Sequence, residues 1–355
     1  MQLHAELVRP TKSDLVGKRY RIERAIGAGS MGAVFAATDR LTGQSVALKR
    51  LTTPTDQLIF ASMFMDSDTS LSLAHEFRTL VSLRHPNIIS VLDYGFDEGR
   101  QPFFTMQLLE DGTNISQAAH DQPQAVKIDL LVQMLQALVY LHRRGILHRD
   151  LKPDNVLVID GQVKVLDFGL ATLREQTAND DTIGTLAYMS PEVLSGGGAS
   201  IASDLYAVGV IAYELLAGHY PFDTSTADAL VYHILNTPPD LFSFGIHPRL
   251  ILILNRLLAK TADERYGDAS DVIAALQQAT DQHITLETSD TRESFLQAAE
   301  FVGREAELAQ LEGALAEALA GRGSAWLVGG ESGVGKSRLL DELRTQALVD
   351  GALVL

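Results

Sequence analysis

Cysteine is absent from all 355 residues. That absence excludes disulfides, thiolate zinc sites and cysteine nucleophiles, and it fits a reducing compartment, so a cytoplasmic location is expected. Basic residues are few: 29 Lys plus Arg stand against 45 Asp plus Glu, a formal net charge of −16. A protein that binds a phosphate backbone needs a basic face to release counterions, and no basic cluster occurs, so no nucleic-acid partner is expected. Long hydrophobic runs are missing as well. The stretches Leu205–Gly218 and Leu250–Ala259 are broken by Glu214 and by Asn255 and Arg256, short of the ~18 apolar residues a membrane span requires. Met1 to Lys18 carries charges throughout and lacks the apolar core of a signal peptide.

What is present is a change of periodicity along the chain. Arg21-Ile22-Glu23-Arg24-Ala25-Ile26 alternates, a glycine turn comes next, and Ala33–Ala37 and Ser45–Lys49 complete an antiparallel meander. Leu71 to Leu83 shifts to helical spacing, and Ile88–Tyr94 and Pro102–Leu109 return to strand, so a small lobe of five strands and one helix is expected. Ile128–Arg144 places Leu130, Leu131, Met134, Leu135, Leu138 and Leu141 close to a 3.6-residue period and opens a large helical lobe. Asp281–Ser294, rich in Asp, Thr, Glu and Ser, has no periodicity and reads as a linker. Beyond it the pattern predicts a helix from Glu305 to a stop at Gly321-Arg322-Gly323, a short strand Ser324–Val328 and a helix Leu339–Leu348. Ala352-Leu353-Val354-Leu355 reads as the next strand of a βαβ unit, so a truncated piece of a longer protein is expected. The divisions are 1–19 as an extension, 20–278 as a two-lobed unit, 279–298 as a linker and 299–355 as the start of an α/β unit.

Two sets of motifs carry chemistry. Gly27-Ala28-Gly29-Ser30-Met31-Gly32-Ala33-Val34 fits G-x-G-x-x-G-x-V, where positions without side chains let backbone amides lie over phosphates. Alone this is weak, but it opens a meander and is followed, 22 positions after Gly27, by Lys49 in Val46-Ala47-Leu48-Lys49. His148-Arg149-Asp150-Leu151-Lys152-Pro153-Asp154-Asn155 is then followed by Asp167-Phe168-Gly169, with 17 residues from Asp150 to Asp167. A base, a phosphate-facing lysine and two hard-oxygen ligands for magnesium are thereby supplied. The second set is Gly330-Glu331-Ser332-Gly333-Val334-Gly335-Lys336-Ser337, which fits G-x-x-x-x-G-K-[ST] between an expected strand and an expected helix.

On these residues the chain resembles a bacterial eukaryotic-like (Hanks-type) serine/threonine protein kinase fused to the start of an AAA-like, signal-transducing P-loop ATPase, with Val302-Gly303-Arg304-Glu305 similar to the entry of such modules. The resemblance implies an α+β bilobal kinase fold, antiparallel in the N-lobe and helical in the C-lobe, followed by a truncated α/β P-loop segment. It implies ATP and magnesium, with Asp150 as acceptor of the substrate hydroxyl proton, Lys152 offsetting charge there, and Asn155 and Asp167 holding metal. Lys49 is expected to reach the α- and β-phosphates and to pair with Glu76, nine residues before His85-Pro86-Asn87. By the same resemblance Met106 guards the adenine pocket, Gln107 and Leu109 offer hinge backbone groups, and Ile26, Val34, Ala47 and Leu157 sandwich the base. His148, Phe168 and Leu80 look like the stack linking the lobes. Thr185, in Gly184-Thr185-Leu186-Ala187-Tyr188-Met189-Ser190-Pro191-Glu192, is expected to contact Asp150 and Lys152, Glu192 to pair with Arg265, and Asp204 and Gly209 to anchor the catalytic loop. In the ATPase segment Gly330, Gly335, Lys336 and Ser337 are the expected phosphate and magnesium contacts.

The expected partners are proteins with Ser or Thr acceptors, and self-association for trans-autophosphorylation. Arg149 beside Asp150 marks control through the activation loop, with Thr177 and Thr182 as candidate acceptors of about −1.5 to −2 charge each. Two other functions remain open: a silent, ATP-binding scaffold or switch acting on the ATPase, and an ATPase regulated by the kinase. Intact Lys49, Glu76, Asp150, Asn155 and Asp167 favour the active kinase. The apolar run Leu58–Met65, between Lys49 and Glu76, reads as an extra turn packed on the neighbouring helix or as a docking point for an activator.

Overall fold

The computed structural model describes residues 15–29, 32–51, 58–60, 83–97, 101–167, 170–172, 184, 186–242, 245–280, 303–331, 334–349 and 352. Strands β1 (Leu15–Val16), β2 (Tyr20–Gly29), β3 (Gly32–Asp39), β4 (Ser45–Leu51), β5 (Leu58–Phe60), β6 (Val91–Phe96) and β7 (Pro102–Gln107) form the small lobe. Six of them make one antiparallel sheet in the order β1-β2-β3-β4-β7-β6. Inward-facing Val16, Tyr20, Phe35, Val46, Leu48 and Phe103 close one face of it, as period-2 alternation demands of a half-buried sheet. Val16 is fully buried and β1 pairs with β2, so the sheet begins within the stretch expected to be an N-terminal extension.

Arg19 ties that edge down. Its guanidinium donates to both oxygens of Asp39 at 2.9 and 2.7 Å and to Asp93 at 2.9 Å, while the Tyr20 hydroxyl donates to Asp93 at 2.6 Å. The hydrogen-bonded guanidinium holds the Asp39 carboxyl down to about 2, whereas burial pushes Asp93 up.

The large lobe comes next: β8 (Thr113–Asn114), α1 (Ile115–Ala119), α2 (Gln124–Arg143), β9 (Val156–Ile159), β10 (Gln162–Val165), β11 (Leu170–Thr172), α3 (Pro191–Leu194), α4 (Ile201–Ala217), α5 (Ala227–Asn236), α6 (Pro248–Leu257) and α7 (Ala269–Thr280). Among the described residues α2 alone has the length and hydropathy of a membrane span, but most of it is buried in this lobe. Its buried positions run nearly all round the helix, which is what a central core helix shows. Helix α4 packs on α2 and α6. At Gly209 an added Cβ would lie 2.8 Å from the Cβ of Leu257, so the approach of α4 to α6 requires glycine there. Helix α4 stops at Gly218, whose left-handed φ of 81° is the usual glycine helix terminus.

Two expectations change. The run Leu58–Met65 is neither an extra helical turn nor an open loop at its start: β5 pairs antiparallel with β11, Leu58 opposite Thr172, Ile59 opposite Ala171 and Phe60 opposite Leu170. Residues 61–65 and the helix expected over Leu71–Leu83, except Leu83, lie outside the described residues. In the C-terminal segment, helices α8 (Glu305–Leu319) and α9 (Lys336–Val349) form as expected, but Ser324–Val328 is not a strand. Leu327 is 96% exposed. A strand exists by sharing hydrogen bonds with a neighbour, and among the described residues none lies beside this stretch. The expected strand-loop-helix is therefore present as an unpaired run, a loop and a helix.

Candidate active site

The chain leaving α2 makes a tight loop to β9, and a buried carboxylate holds it. Asp204, in the first turn of α4, accepts from the backbone N–H of His148 at 2.8 Å and of Arg149 at 2.9 Å, and bonds His142 Nε2 at 2.9 Å. Burial would raise the Asp204 carboxyl, but the hydrogen bonds from His142 and the backbone of His148 outweigh it and hold the group below its ordinary value. These two backbone donors hold Arg149 at φ 67°, a left-handed conformation uncommon for a side-chain-bearing residue and characteristic of a functional constraint. His148 reaches the other way, its Nε2 3.0 Å from the carbonyl of Leu166, and burial pushes its pKa down, so the neutral ring donates from Nε2. One loop is thus pinned to α4 below and to the residue before Asp167 above.

Asp150 emerges from this loop. Its carboxylate lies 3.0 Å from Lys152 Nζ and accepts from the Asn155 amide at 3.1 Å, while the same amide nitrogen donates to the Asp150 carbonyl at 2.7 Å. Asn155 sits in the 3-10 turn Pro153–Asn155, and its carbonyl accepts from the Leu166 N–H at 2.8 Å. Asp167 comes next at φ 54°, again left-handed, and its carboxylate meets Lys49 Nζ at 2.5 Å. Lys49 is buried on β4. Asp150, Lys152, Asn155, Asp167 and Lys49 are therefore brought together from two lobes.

The sheet registers place the expected nucleotide residues. Val34 stands opposite Lys49 and Gly27 opposite Val34, with Ala28 opposite Ala33 and Gly29 opposite Gly32. Ala47 stands opposite Met106 and Val46 opposite Gln107, so three of the residues expected around adenine, Ala47, Met106 and Gln107, share the β4–β7 pair. Met106 and Ala47 are buried, Val34, Leu109 and Leu157 are half-buried, and Ile26 and Gln107 are exposed. At Gly32 the backbone has φ 146°, and an added Cβ would fall 2.0 Å from the Arg50 carbonyl oxygen, whereas one at Gly27 meets nothing within 4 Å. Gly32→Ala is thus expected to cost about 1–3 kcal/mol by overpacking, seen as a lower melting temperature in calorimetry, while Gly27→Ala leaves the melting temperature unchanged. Ser30, Met31, Glu76, Leu80, Phe168, Thr177, Thr182 and Thr185 lie outside the described residues.

The expected pair of Glu192 and Arg265 is present and bidentate, at 2.7 and 2.8 Å, with Arg265 also donating to the carbonyls of Ala202 and Ala259. In the second motif Gly330 and Gly335 have φ 159° and 86°. Lys336 Nζ donates to the carbonyls of Gly330 and Glu331 at 2.9 and 2.7 Å, and Ser337 is exposed in the first turn of α9. Sequence reasoning missed His142, the ring that fixes Asp204 in its ionised form. No motif includes it, and only the helical phase that turns His142 into the core gives a hint.

Both parts of the chain match known families. The protein kinase domain model matches residues 20–290, and the AAA ATPase domain model matches residues 300–355. Serine/threonine-protein kinase Pkn1 of Myxococcus xanthus is 35% identical over 293 residues, covering 78% of this chain and 41% of that protein. DNA damage-responsive serine/threonine-protein kinase RqkA of Deinococcus radiodurans is 37% identical over 268 residues, covering 72% and 38%. Serine/threonine-protein kinase PknL of Mycobacterium tuberculosis is 33% identical over 279 residues, covering 76% and 67%. The chain spans about two fifths of the length of the first two relatives. With three quarters of its residues under the kinase model, the chain belongs to the protein kinase family, as a bacterial Hanks-type serine/threonine kinase domain fused to an AAA-type ATPase segment.

Proposed function

We propose that this chain transfers the γ-phosphoryl group of ATP to Ser and Thr hydroxyls of proteins, its own among them, in bacterial signalling. The observation that carries the reading is the placement of Asp150 beside Lys152 and Asn155 on a loop pinned by Asp204, with Asp167 held to Lys49. In this reading Asp150 accepts the substrate hydroxyl proton and aligns the oxygen with the γ-phosphorus, and Lys152 offsets the charge that moves there. Lys49 binds α- and β-phosphate oxygens, with Glu76 as its further partner, and Thr185 steadies Asp150 and Lys152. Val34, Ala47, Met106 and Leu157 with Ile26 enclose the adenine, Gln107 and Leu109 supply backbone groups to it, and the backbone of Gly27–Gly32 covers the phosphates.

The donor set fits magnesium. Asn155 commits its amide nitrogen to Asp150, which leaves the amide oxygen as an acceptor, and Asp167 brings a carboxylate. Two hard protein oxygens beside phosphate oxygens and water are what this cation takes. When bound, magnesium neutralises charge on the phosphates. Gly330, Gly335, Lys336 and Ser337 are read as a second nucleotide site, and the protein is read as cytoplasmic, acting on itself through transient association of two copies. The names of the relatives, each a serine/threonine-protein kinase, support the substrate class.

Incubation with labelled ATP and magnesium, then mass spectrometry, tests this. Label on Ser or Thr residues, with Thr177 or Thr182 foremost, is expected. No label on the chain or on a generic basic protein, with ATP still bound, would instead assign it to the silent scaffold.

A further inference from the structure

The hairpin of β9 and β10 turns at Asp160-Gly161, whose φ values of 50° and 78° suit a two-residue type I′ connection. Alternate residues of a strand present their N–H and C=O to the same edge. With β9 along one edge of β10, the other edge belongs to Val163 and Val165. Val165 meets backbone there: its N–H donates to the Asn87 carbonyl at 2.8 Å, and its carbonyl accepts from Ile89 N–H at 3.0 Å, with Ile88 opposite it in a parallel bridge. At Val163 two side chains take the place of a strand. The Val163 N–H donates to Gln133 Oε1 at 2.8 Å, and the Val163 carbonyl accepts from Asn87 Nδ2 at 3.1 Å. The two side chains are joined, Asn87 Nδ2 donating to Gln133 Oε1 at 3.0 Å. Gln133 Nε2 donates to the Gly161 carbonyl at 3.0 Å and to Asp129 at 2.9 Å. A carboxamide offers two acceptor positions and two N–H donors, and all four of Gln133 are used. A backbone N–H on one side and a backbone carbonyl on the other fix which way this amide points.

What is held here is the approach to Asp167. Leu166 N–H donates to the Asn155 carbonyl at 2.8 Å, the Leu166 carbonyl accepts from His148 Nε2 at 3.0 Å, and Asp167 is next. Lys164 Nζ adds a tie from β10 to the Pro86 carbonyl at 2.6 Å. The outer groups of Val163 and Val165 and both groups of Leu166 are thus committed, and only those of Val163 depend on side chains. Val163 is fully buried and Asn87 nearly so, so a partner lost at this point leaves a backbone group without water to replace it. Gln133 comes from α2, and Asn87 from the turn before β6. The strand that delivers Asp167 is therefore gripped by both lobes at one residue.

We propose that Gln133 and Asn87 are a pair of positioning residues for phosphoryl transfer: by standing in for a strand beside Val163 they fix where β10 sets the Asp167 carboxylate, and with it the distance from Asp167 to Asn155. This rests on the reading of Asp167 and Asn155 as the magnesium ligands. Neither Gln133 nor Asn87 touches the metal or the nucleotide in this scheme. Groups that orient metal ligands without binding the metal are commonly worth about 10–100-fold in metal affinity or activity.

The test uses Gln133→Met, which keeps the length of the side chain and removes its hydrogen bonds, and Gln133→Glu, which keeps the acceptor for Val163 N–H. Asn87→Ala, the double variant Asn87→Ala/Gln133→Met and the control Asp129→Asn complete the set, all in the full chain and well below their melting temperatures. In Gln133→Met the magnesium concentration that half-saturates the metal-dependent part of ATP binding is expected to rise about tenfold, and kcat to fall about tenfold, with KM for a protein substrate unchanged. Gln133→Glu is expected to recover part of both losses, and Asp129→Asn, altered at an exposed position, to behave as the parent. The double variant is expected to be no worse than the poorer single one, because the two side chains act as a unit. A lower melting temperature with an unaltered magnesium dependence in Gln133→Met would overturn the proposal, leaving the residue a purely structural one. Losses that multiply in the double variant would overturn the pairing. A chain that transfers no phosphate at all would defeat the proposed phosphoryl transfer, yet the magnesium dependence of ATP binding would still decide the role of Gln133.

Discussion

Asp150→Ala is expected to lower the rate of phosphoryl transfer by about 10²–10⁴-fold, the usual worth of a positioned general base, with ATP affinity nearly unchanged. The affinity is spared because in the proposed reading the phosphates are bound by other groups, among them Lys49, Gly27 and Gly29, which stand on strands away from the catalytic loop. The rate is not spared because Asp150 is the group around which Lys152 and Asn155 are organised, at 3.0 and 3.1 Å. Removing it leaves Lys152 without its counter-charge and returns Asn155 to the backbone carbonyl alone. Single-turnover kinetics beside equilibrium nucleotide binding separates the two quantities. Equal loss of affinity and rate would assign Asp150 to binding rather than to the transfer step.

The second large effect is on stability. Arg265→Ala is expected to destabilise the helical lobe by about 3–5 kcal/mol, because removal of one partner strands the other charge in a mostly buried setting. Glu192 is that stranded group: Arg265 is its bidentate partner, and burial opposes its ionisation while the Arg265 hydrogen bonds favour it, with the carboxyl held below its ordinary value. For a lobe of this size the loss reads as a drop of roughly 6–20 °C in melting temperature by calorimetry. The double variant Glu192→Leu/Arg265→Met removes both charges and is expected to recover part of the loss. Recovery is partial since Arg265 also serves the carbonyls of Ala202 and Ala259, which a methionine does not satisfy. An Arg265→Ala variant that melts within about 1–2 °C of the parent would show the pair to be solvated in solution.

Much of this arrangement was legible in the sequence because kinase chemistry is written in local strings. His148 to Asn155 and Asp167 lie in two short segments, whereas the β9–β10 hairpin between them was not read, since Val156–Ile159 is apolar throughout and does not alternate. The meander and the 3.6-residue period of α2 were legible for the same reason, each being a property of neighbours in the chain. Pairings across long separations were less so. Glu192 with Arg265 was reached through resemblance, whereas His142 with Asp204, 62 residues apart, was not reached at all. The sequence also predicts a strand at Ser324–Val328 from its apolar content, but a strand is a relation between segments, and an exposed Leu327 shows apolar content without that relation. Lys49 illustrates a further limit: its burial follows from its position in β4, but the carboxylate it meets among the described residues is Asp167, which was expected as a magnesium ligand and not as the partner of Lys49.

The ladder between β5 and β11 closes a circuit. Chain runs from Lys49 to Leu58, crosses the paired strands, returns from Leu170 to Asp167, and is completed by the ion pair of Asp167 with Lys49. Such a ring has two fastenings, the ladder and the ion pair, and because the ring is short its closing costs little entropy, so each contact keeps the ends of the other near. The chain that follows Asp167 is therefore anchored as far as Thr172, where Leu58 faces it across the ladder.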